Sequence, residues 1–260
     1  MPEQTKVSVI IPARFGSSRF PGKPLVPLMG KPLIRHVYER AAGAPGVGTV
    51  LVATDDKRIR DAVEAFGGRA VLTTEPFRCG TDRVAAVARE LPGDIFLDVQ
   101  ADEIMLDPAL LSDLIIPFRD STVGMGTLKR KLTQAADLHN PAVVKVVTNE
   151  SGDALYFSRA AIPHVRDQAP VSGASPLHEG LHYMHLGVYI YRRATLMQFT
   201  ALPTGRLEEA EKLEQLRALE HGIRIRVWET EHASLRIDTP QDLNDAEAAL
   251  QRLEAVGRRT

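Results

Sequence analysis

Three apolar runs at regular intervals constrain this chain more than any other feature. They are Val7 to Pro12, "TVLVAT" (Thr49 to Thr54) and "DIFLDVQ" (Asp94 to Gln100), each of strand length and each running into a polar loop. Helical patterns fill the gaps. The first runs from about Pro32 to Ala42, with Pro32 suited to a first turn and Leu33, Val37 and Ala41 on one face. A second, "DKRIRDAVEAFG", has Asp55 as its expected N-cap and stops at Gly67 and Gly68. A short strand, "AVLT", then leads to "CGTDRVAAVAREL", a helix opened by Thr81 or Asp82. Strands that alternate with helices imply a parallel sheet built from right-handed crossovers.

The second half reads differently. "VGMGTLKRKL", "VVKVVTN", "ALYFSR", "HLGVYIYRR" and "IRIRVWET" are strand-like with less helix between them, which predicts mixed or antiparallel strands extending the sheet, or a small insertion. Two long helical patterns follow, "EEAEKLEQLRALEHG" and "TPQDLNDAEAALQRLEAV". Residues 165–180, rich in Pro, Ser, Gly and His, read as a mobile loop.

The loop after the first strand, "ARFGSSRFPGKPL", gathers Arg14, Arg19 and Lys23 around Gly16 and Gly22. It is not a P-loop, since five residues separate the glycines and Pro24 follows Lys23, and G-x-G-x-x-G is absent. Ligands of open α/β sheets bind beyond the carboxyl ends of the strands. That rule brings together this loop, the Asp55/Asp56 pair and "QADE" (Gln100 to Glu103). Backbone amides and cations suit a polyphosphate, and Asp102 suits a hard divalent cation such as magnesium. A net charge of −1 gives no global reason to bind nucleic acid or an anionic membrane. One cysteine, Cys79, rules out an intrachain disulfide. With no secretory h-region or apolar run of spanning length, the expectation is a soluble protein of the cytoplasm.

Taken in order, "ARFGSSRFPGKPL", "VATDD", "CGTDRVA", "VQADE", "NPAVVKVV", "ALYFSRAAIP", "HLGVYIYRR", "EKLEQLR" and "IDTPQDL" resemble the sugar nucleotidyltransferases, and within them the 3-deoxy-D-manno-octulosonate (Kdo) cytidylyltransferases. The resemblance covers nearly the whole chain, from Val7 to about Leu243. It implies a Rossmann-like α/β fold whose central, mostly parallel sheet is flanked by helices and carries a smaller antiparallel extension. It implies a single nucleotidyltransferase domain, with a CTP-binding half over about 1–120, an acceptor-binding and dimerisation part over about 121–235 and a metal-ligand segment over about 236–260. The reaction implied is attack of the anomeric hydroxyl of Kdo on the α-phosphorus of CTP, giving CMP-Kdo and pyrophosphate for lipopolysaccharide precursor synthesis.

Carried over residue by residue, the resemblance gives Arg14, Arg19 and Lys23 to the triphosphate, and Gly80, Thr81, Arg83 and Gln100 to the cytidine. Arg19, Lys23 and Asp102 would be catalytic, and Asp102 and Asp238 would ligate Mg2+. Arg159, His185, Tyr189, Glu214 and Gln215 would meet the sugar acid. A homodimer is implied in the same way. Three positions depart from the family's usual text: Ala101 where glycine is common, Cys79 where serine is usual, and Met184 where a basic residue usually precedes "HLG". They keep open a second reading, a cytidylyltransferase with another acceptor such as an amino-Kdo, another sugar acid or a phosphonate. A third is a nucleotide-binding protein without turnover.

Pattern alone reads some of these residues more plainly. Glu208, Glu209, Glu211 and Glu214 are the solvated face of a helix, and Tyr189 is a core or edge-strand residue. His178, His182 and His185 have the spacing of a helical zinc site, but Gly180 and the strand-like "LGVYIY" argue that no helix forms there.

Overall fold

A computed structural model describes residues 7–16, 20–104, 106–119, 122–166, 177–178, 180–234, 236–237, 241–244 and 246–248. The chain divides into two compact units, one of Met1–Ser112 with Ala233–Thr260 and one of Asp113–His232.

In the first unit, β1 (Val7–Ala13) leads through a short 3-10 turn (Lys23–Leu25) to a two-residue hairpin, β2 (Pro27–Leu28) and β3 (Lys31–Pro32). Met29 and Gly30 both have positive φ, the conformation a tight hairpin turn requires. Then come α1 (Leu33–Ala42), β4 (Val47–Thr54), α2 (Lys57–Ala65), β5 (Ala70–Leu72), α3 (Gly80–Glu90) and β6 (Ile95–Asp98). The strands form a parallel sheet in the order β6-β1-β4-β5. Val9, Ile10, Ile11, Val52, Phe96 and Leu97 are fully buried, so the continuous apolar runs are strands with no wet face. On α1 the buried residues are Leu33, Ile34, Val37 and Ala41, the face expected from the spacing.

Two helix starts differ from expectation. Asp56, not Asp55, caps α2: its carboxylate accepts from the Arg58 N–H at 2.8 Å, while Asp55 pairs with Arg83. Helix α3 starts one residue early, with Cys79 in the N-cap position and no side-chain cap. Thr81 is fully buried there because its hydroxyl serves a partner in the sheet.

Helix α4 (Pro108–Arg119), which the sequence reading passed over, carries the chain into the second unit. There β7 (Met125–Lys131), α5 (Ala135–His139), β8 (Lys145–Thr148), β9 (Ala154–Ser158), β10 (Tyr183–Arg192), α6 (Arg193–Ala201), α7 (Arg206–Glu211), α8 (Gln215–Glu220) and β11 (Ile225–Glu229) follow. β7 pairs parallel with β11 and antiparallel with β10, and β8 pairs antiparallel with both β9 and β10. The five strand-like segments of the second half are therefore all strands. A Cβ on Gly126 would fall 2.5 Å from the Trp228 ring, so the β7–β11 packing depends on that glycine.

The helix read across "EEAEKLEQLRALEHG" is two short ones. Lys212 adopts φ 54°, a left-handed conformation that ends α7, and α8 restarts at Gln215. The last helical pattern is helical at 241–244 and 246–248. Most of the 165–180 loop lies outside the described residues. Among those residues no helix is long and apolar enough to cross a membrane.

Candidate active site

Strand order locates the first cluster. β1 lies between β4 and β6, so the connections leaving β1 and β6 diverge, and the crevice between them is where open α/β sheets take ligands. Ile10 and Asp98 are paired across these two strands, and Val99 N–H donates to Ile10 O at 3.3 Å. The basic loop and "QADE" thus start side by side.

In the basic loop Arg14 is exposed. Gly22 N–H donates to Phe15 O at 2.9 Å and ties the two ends of the loop together. Gly22 needs its lack of a side chain: φ is 71°, and a Cβ would meet the Phe15 ring at 3.1 Å. The Arg58 guanidinium stacks 3.5 Å above that same ring. Arg19 lies outside the described residues, as does Asp238.

Sequence reasoning missed a hub beneath the expected cytidine contacts. Asp98, the last residue of β6, is fully buried. It accepts from Thr81 Oγ1 at 2.9 Å and from Gln100 Nε2 at 2.8 Å, which fixes two of the expected nucleotide residues on one carboxylate. A Cβ on Gly80 would stand 3.3 Å from the Gln100 amide, so glycine lets the start of α3 come this close. The signal was available, since Asp98 is the one charged residue inside an otherwise apolar four-residue strand. Asp98→Asn replaces an acceptor with a donor that faces another donor. It should cost about 2–3 kcal/mol, read as a shift in urea midpoint at unchanged slope.

Arg83 is committed within this unit. Its guanidinium donates to Thr73 O at 3.1 Å, to Thr73 Oγ1 and to Asp55 Oδ2 at 2.9 Å, and it lies 5.1 Å from the Phe77 ring centroid. It braces the end of β5 against the Asp55 loop, next to the expected base contacts.

The second group of the unit centres on Asp102. Lys23 Nζ donates to Asp102 Oδ2 at 2.9 Å and to Ile237 O at 2.7 Å, and Ile237 N–H donates to Asp102 O at 3.1 Å. Arg236 Nη2 reaches the same Oδ2 at 3.3 Å. Glu103, 2% exposed, accepts from Ser234 Oγ and pairs with Arg236 across a backbone bridge. The basic loop, the segment after β6 and residues 236 and 237 are thus joined around one carboxylate. Burial opposes ionisation of Asp102, but Arg236 and Lys23 outweigh it and hold its pKa below the ordinary 3.8. The group is an anion at neutral pH. Its other oxygen, Oδ1, is buried with no hydrogen-bond partner among the described residues. A buried ionised oxygen with an open coordination position fits a hard divalent cation.

The expected acceptor residues all lie in the second unit. His185 and Tyr189 stand on β10 either side of a bulge, with rings 5.4 Å apart. Thr127 fills the bulge, its hydroxyl within 3.0 Å of His185 Nε2 and bonded to the Leu186 and Val188 carbonyls. Phe157 lies edge-on to His185 at 4.9 Å. Arg159, at the end of β9, donates from Nε to Glu211 O at 2.7 Å and from Nη1 to Pro141 O at 2.9 Å. Glu211 carries this arrangement: its carboxylate accepts from Ser158 Oγ at 2.6 Å and from Arg159 N–H at 2.9 Å. Pattern assigned Glu211 to a solvated face; the break at Lys212 turns it inward instead.

Glu214 and Gln215 open α8. Gln215 is 3% exposed, and its Nε2 is a buried donor without a partner among the described residues, as expected of a group that waits for a ligand oxygen. The three histidines do not form a metal site. Tyr183 already begins a strand, and His182 accepts at Nδ1 from the His178 N–H and sets Nε2 3.2 Å from Pro163 O. A cavity of about 190 Å³ in the same unit, lined by Thr195, Gln198, His221 and Arg224 among others, contains none of the expected site residues.

Comparison with known proteins gives a consistent result. The family model for cytidylyltransferases matches residues 8–225. A protein of Geobacter metallireducens named 3-deoxy-manno-octulosonate cytidylyltransferase is 47% identical over 257 residues, covering 96% of this chain and 99% of its own. A protein of the same name from Geotalea uraniireducens is 50% identical over 252 residues, with 96% and 99% covered. A solved structure of CMP:2-keto-3-deoxy-manno-octonic acid synthetase complexed with CTP superposes with a TM-score of 0.87 at 42% identity, over 95% of this chain and 99% of that one.

Proposed function

Since this chain belongs to the 3-deoxy-manno-octulosonate cytidylyltransferase family, we propose that it transfers CMP from CTP to the anomeric hydroxyl of Kdo, releasing pyrophosphate, and so supplies an activated sugar for lipopolysaccharide precursors. The observation that carries the reading is the convergence of Lys23, Asp102 and the Ile237 carbonyl at the carboxyl ends of β1 and β6. Arg14, Arg19 and Lys23 take the triphosphate. Gln100, fixed on Asp98, presents the base-recognising face with Gly80, Thr81 supports it from beneath through the same Asp98, and Arg83 braces it from the Thr73 side.

In the second unit Arg159 would meet the carboxylate of a sugar acid from Nη2, whose contact with Lys212 O is long at 3.5 Å, while Nε and Nη1 hold the Glu211 and Pro141 carbonyls. His185, Tyr189, Glu214 and Gln215 supply hydrogen-bonding groups for its hydroxyls. Magnesium is the metal the family resemblance implies; Asp102, with Asp238, would hold it, and it would supply Lewis-acid stabilisation of phosphate charge. The chain's own part is alignment and charge. Lys23, held by Asp102 and Ile237 O, would stabilise the negative charge gathering on the departing pyrophosphate. No covalent enzyme intermediate is needed. The protein acts as a homodimer in the cytoplasm in this reading.

The test is pyrophosphate release from CTP and magnesium, with and without Kdo generated in the mixture. Release that depends on Kdo supports the reading. CTP binding with release only on another sugar acid, or with none, transfers it to the second or third alternative.

A further inference from the structure

Two cations share one oxygen of Asp102, and they are held very differently. Lys23 is 13% exposed and is anchored a second time on Ile237 O at 2.7 Å, so it cannot leave without breaking the loop contact. Arg236 is 50% exposed, reaches Asp102 Oδ2 at 3.3 Å, and has Glu103 Oε1 at 3.6 Å from its Nε. Its side chain has a second carboxylate to fall back on, and Glu103 is fixed by Ser234.

We propose that Arg236 is an internal counter-cation that competes with a divalent metal for Asp102 and sets the metal concentration at which the site fills. This rests on the reading of Asp102 as a metal ligand. A guanidinium this close to the carboxylate neutralises much of the charge that attracts a cation, and repels any cation that arrives. A divalent ion at the open Oδ1 would lie beside the guanidinium held on Oδ2, so its entry is favoured as the guanidinium withdraws, and withdrawal is cheap because the side chain is half exposed and Glu103 lies within reach. Lys23 keeps its place throughout, since its second acceptor is a main-chain carbonyl. The resulting site fills along an ordinary one-site curve shifted to higher metal concentration by the fraction of time Arg236 stays on Asp102.

The test uses the full chain and Mn2+ alone, with bound and free metal separated by electron paramagnetic resonance at fixed ionic strength. Arg236→Gln should bind Mn2+ roughly 3- to 10-fold more tightly than the parent chain, the effect of removing one nearby like charge. Arg236→Lys, which keeps the charge, should stay within about twofold of the parent, and this separates electrostatics from loss of packing. Asp102→Asn should abolish the binding in either background. Thermal unfolding of each variant reports that the fold is retained.

Unchanged or weaker binding in Arg236→Gln, with Asp102→Asn still abolishing it, overturns the role of Arg236 and leaves the metal reading standing. Mn2+ binding that survives Asp102→Asn, or its absence from both the parent and Arg236→Gln, overturns the metal reading and this inference with it.

Discussion

Asp102→Asn should reduce turnover by about 10²- to 10³-fold, the usual scale for loss of one preorganised electrostatic group at a reacting phosphate. The substitution keeps the shape of the side chain, and the backbone bond from Ile237 N–H to Asp102 O does not involve it. Lys23 loses its charge partner but keeps Ile237 O, so the basic loop stays tethered. The structural cost should therefore be modest, about 1–3 kcal/mol, because asparagine keeps one acceptor oxygen for the ammonium while losing the charge. CTP binding measured by calorimetry should change by no more than a few-fold, because Arg14 and Lys23 remain. The loss should fall on kcat rather than on the KM for CTP. Turnover within about tenfold of the parent would show that Asp102 serves only as the counter-ion of Lys23 and Arg236.

What was legible in the sequence, the strands of both halves and the first helices, folds by local pattern. Val9–Ile11 and Phe96–Leu97 are apolar on both faces because both faces are covered, and this reads directly as buried parallel strands. Helix α4 was passed over for the opposite reason: Leu110, Leu111, Leu114, Ile115 and Phe118 are all fully buried, and Ile116 between them is 61% exposed. An apolar residue on the wet face blurs the period that marks an amphipathic helix. The single helix expected over α7 and α8 failed at Lys212, whose left-handed backbone nothing local demands; neither glycine nor asparagine marks the break.

At the candidate site, pattern and resemblance named the outward-facing chemistry but not what supports it. Glu211 and Arg236 act through contacts between segments far apart in the chain, Glu211 with Ser158 and Arg159, Arg236 with Asp102. Spacing carries no record of such pairs.

Lys145 is the clearest of these hidden supports, and its removal should have the largest effect on stability. It is fully buried in the second unit, and Nζ donates to Asn140 O at 2.9 Å, Val143 O at 2.7 Å and Arg159 O at 2.7 Å. An ammonium has three hydrogens, and each has a carbonyl. Burial pulls its pKa below the ordinary 10.5, while the three carbonyl acceptors favour the ammonium form. Lys145→Met would fill the same volume but leave three inward-pointing carbonyls without a donor, a loss of about 3–5 kcal/mol. Arginine should not rescue it, since a planar fork cannot meet three carbonyls that converge on one point.

The kinetic consequence follows from which backbone is released. Arg159 is tethered through its carbonyl by Lys145 and through its N–H by Glu211, so loss of either support loosens the guanidinium assigned to the acceptor carboxylate. The acceptor KM should rise by roughly tenfold with the KM for CTP nearly unchanged, because the residues assigned to CTP belong to the other unit. Should Lys145→Met fail to fold, Glu211→Gln carries the same prediction at lower structural cost, since it keeps one carbonyl oxygen to accept while losing the charge. A parallel rise in both KM values would mean that the substitution disturbs the fold as a whole. An unchanged acceptor KM, with stability reduced as expected, would leave Lys145 as a purely structural lysine and remove Arg159 from the acceptor site.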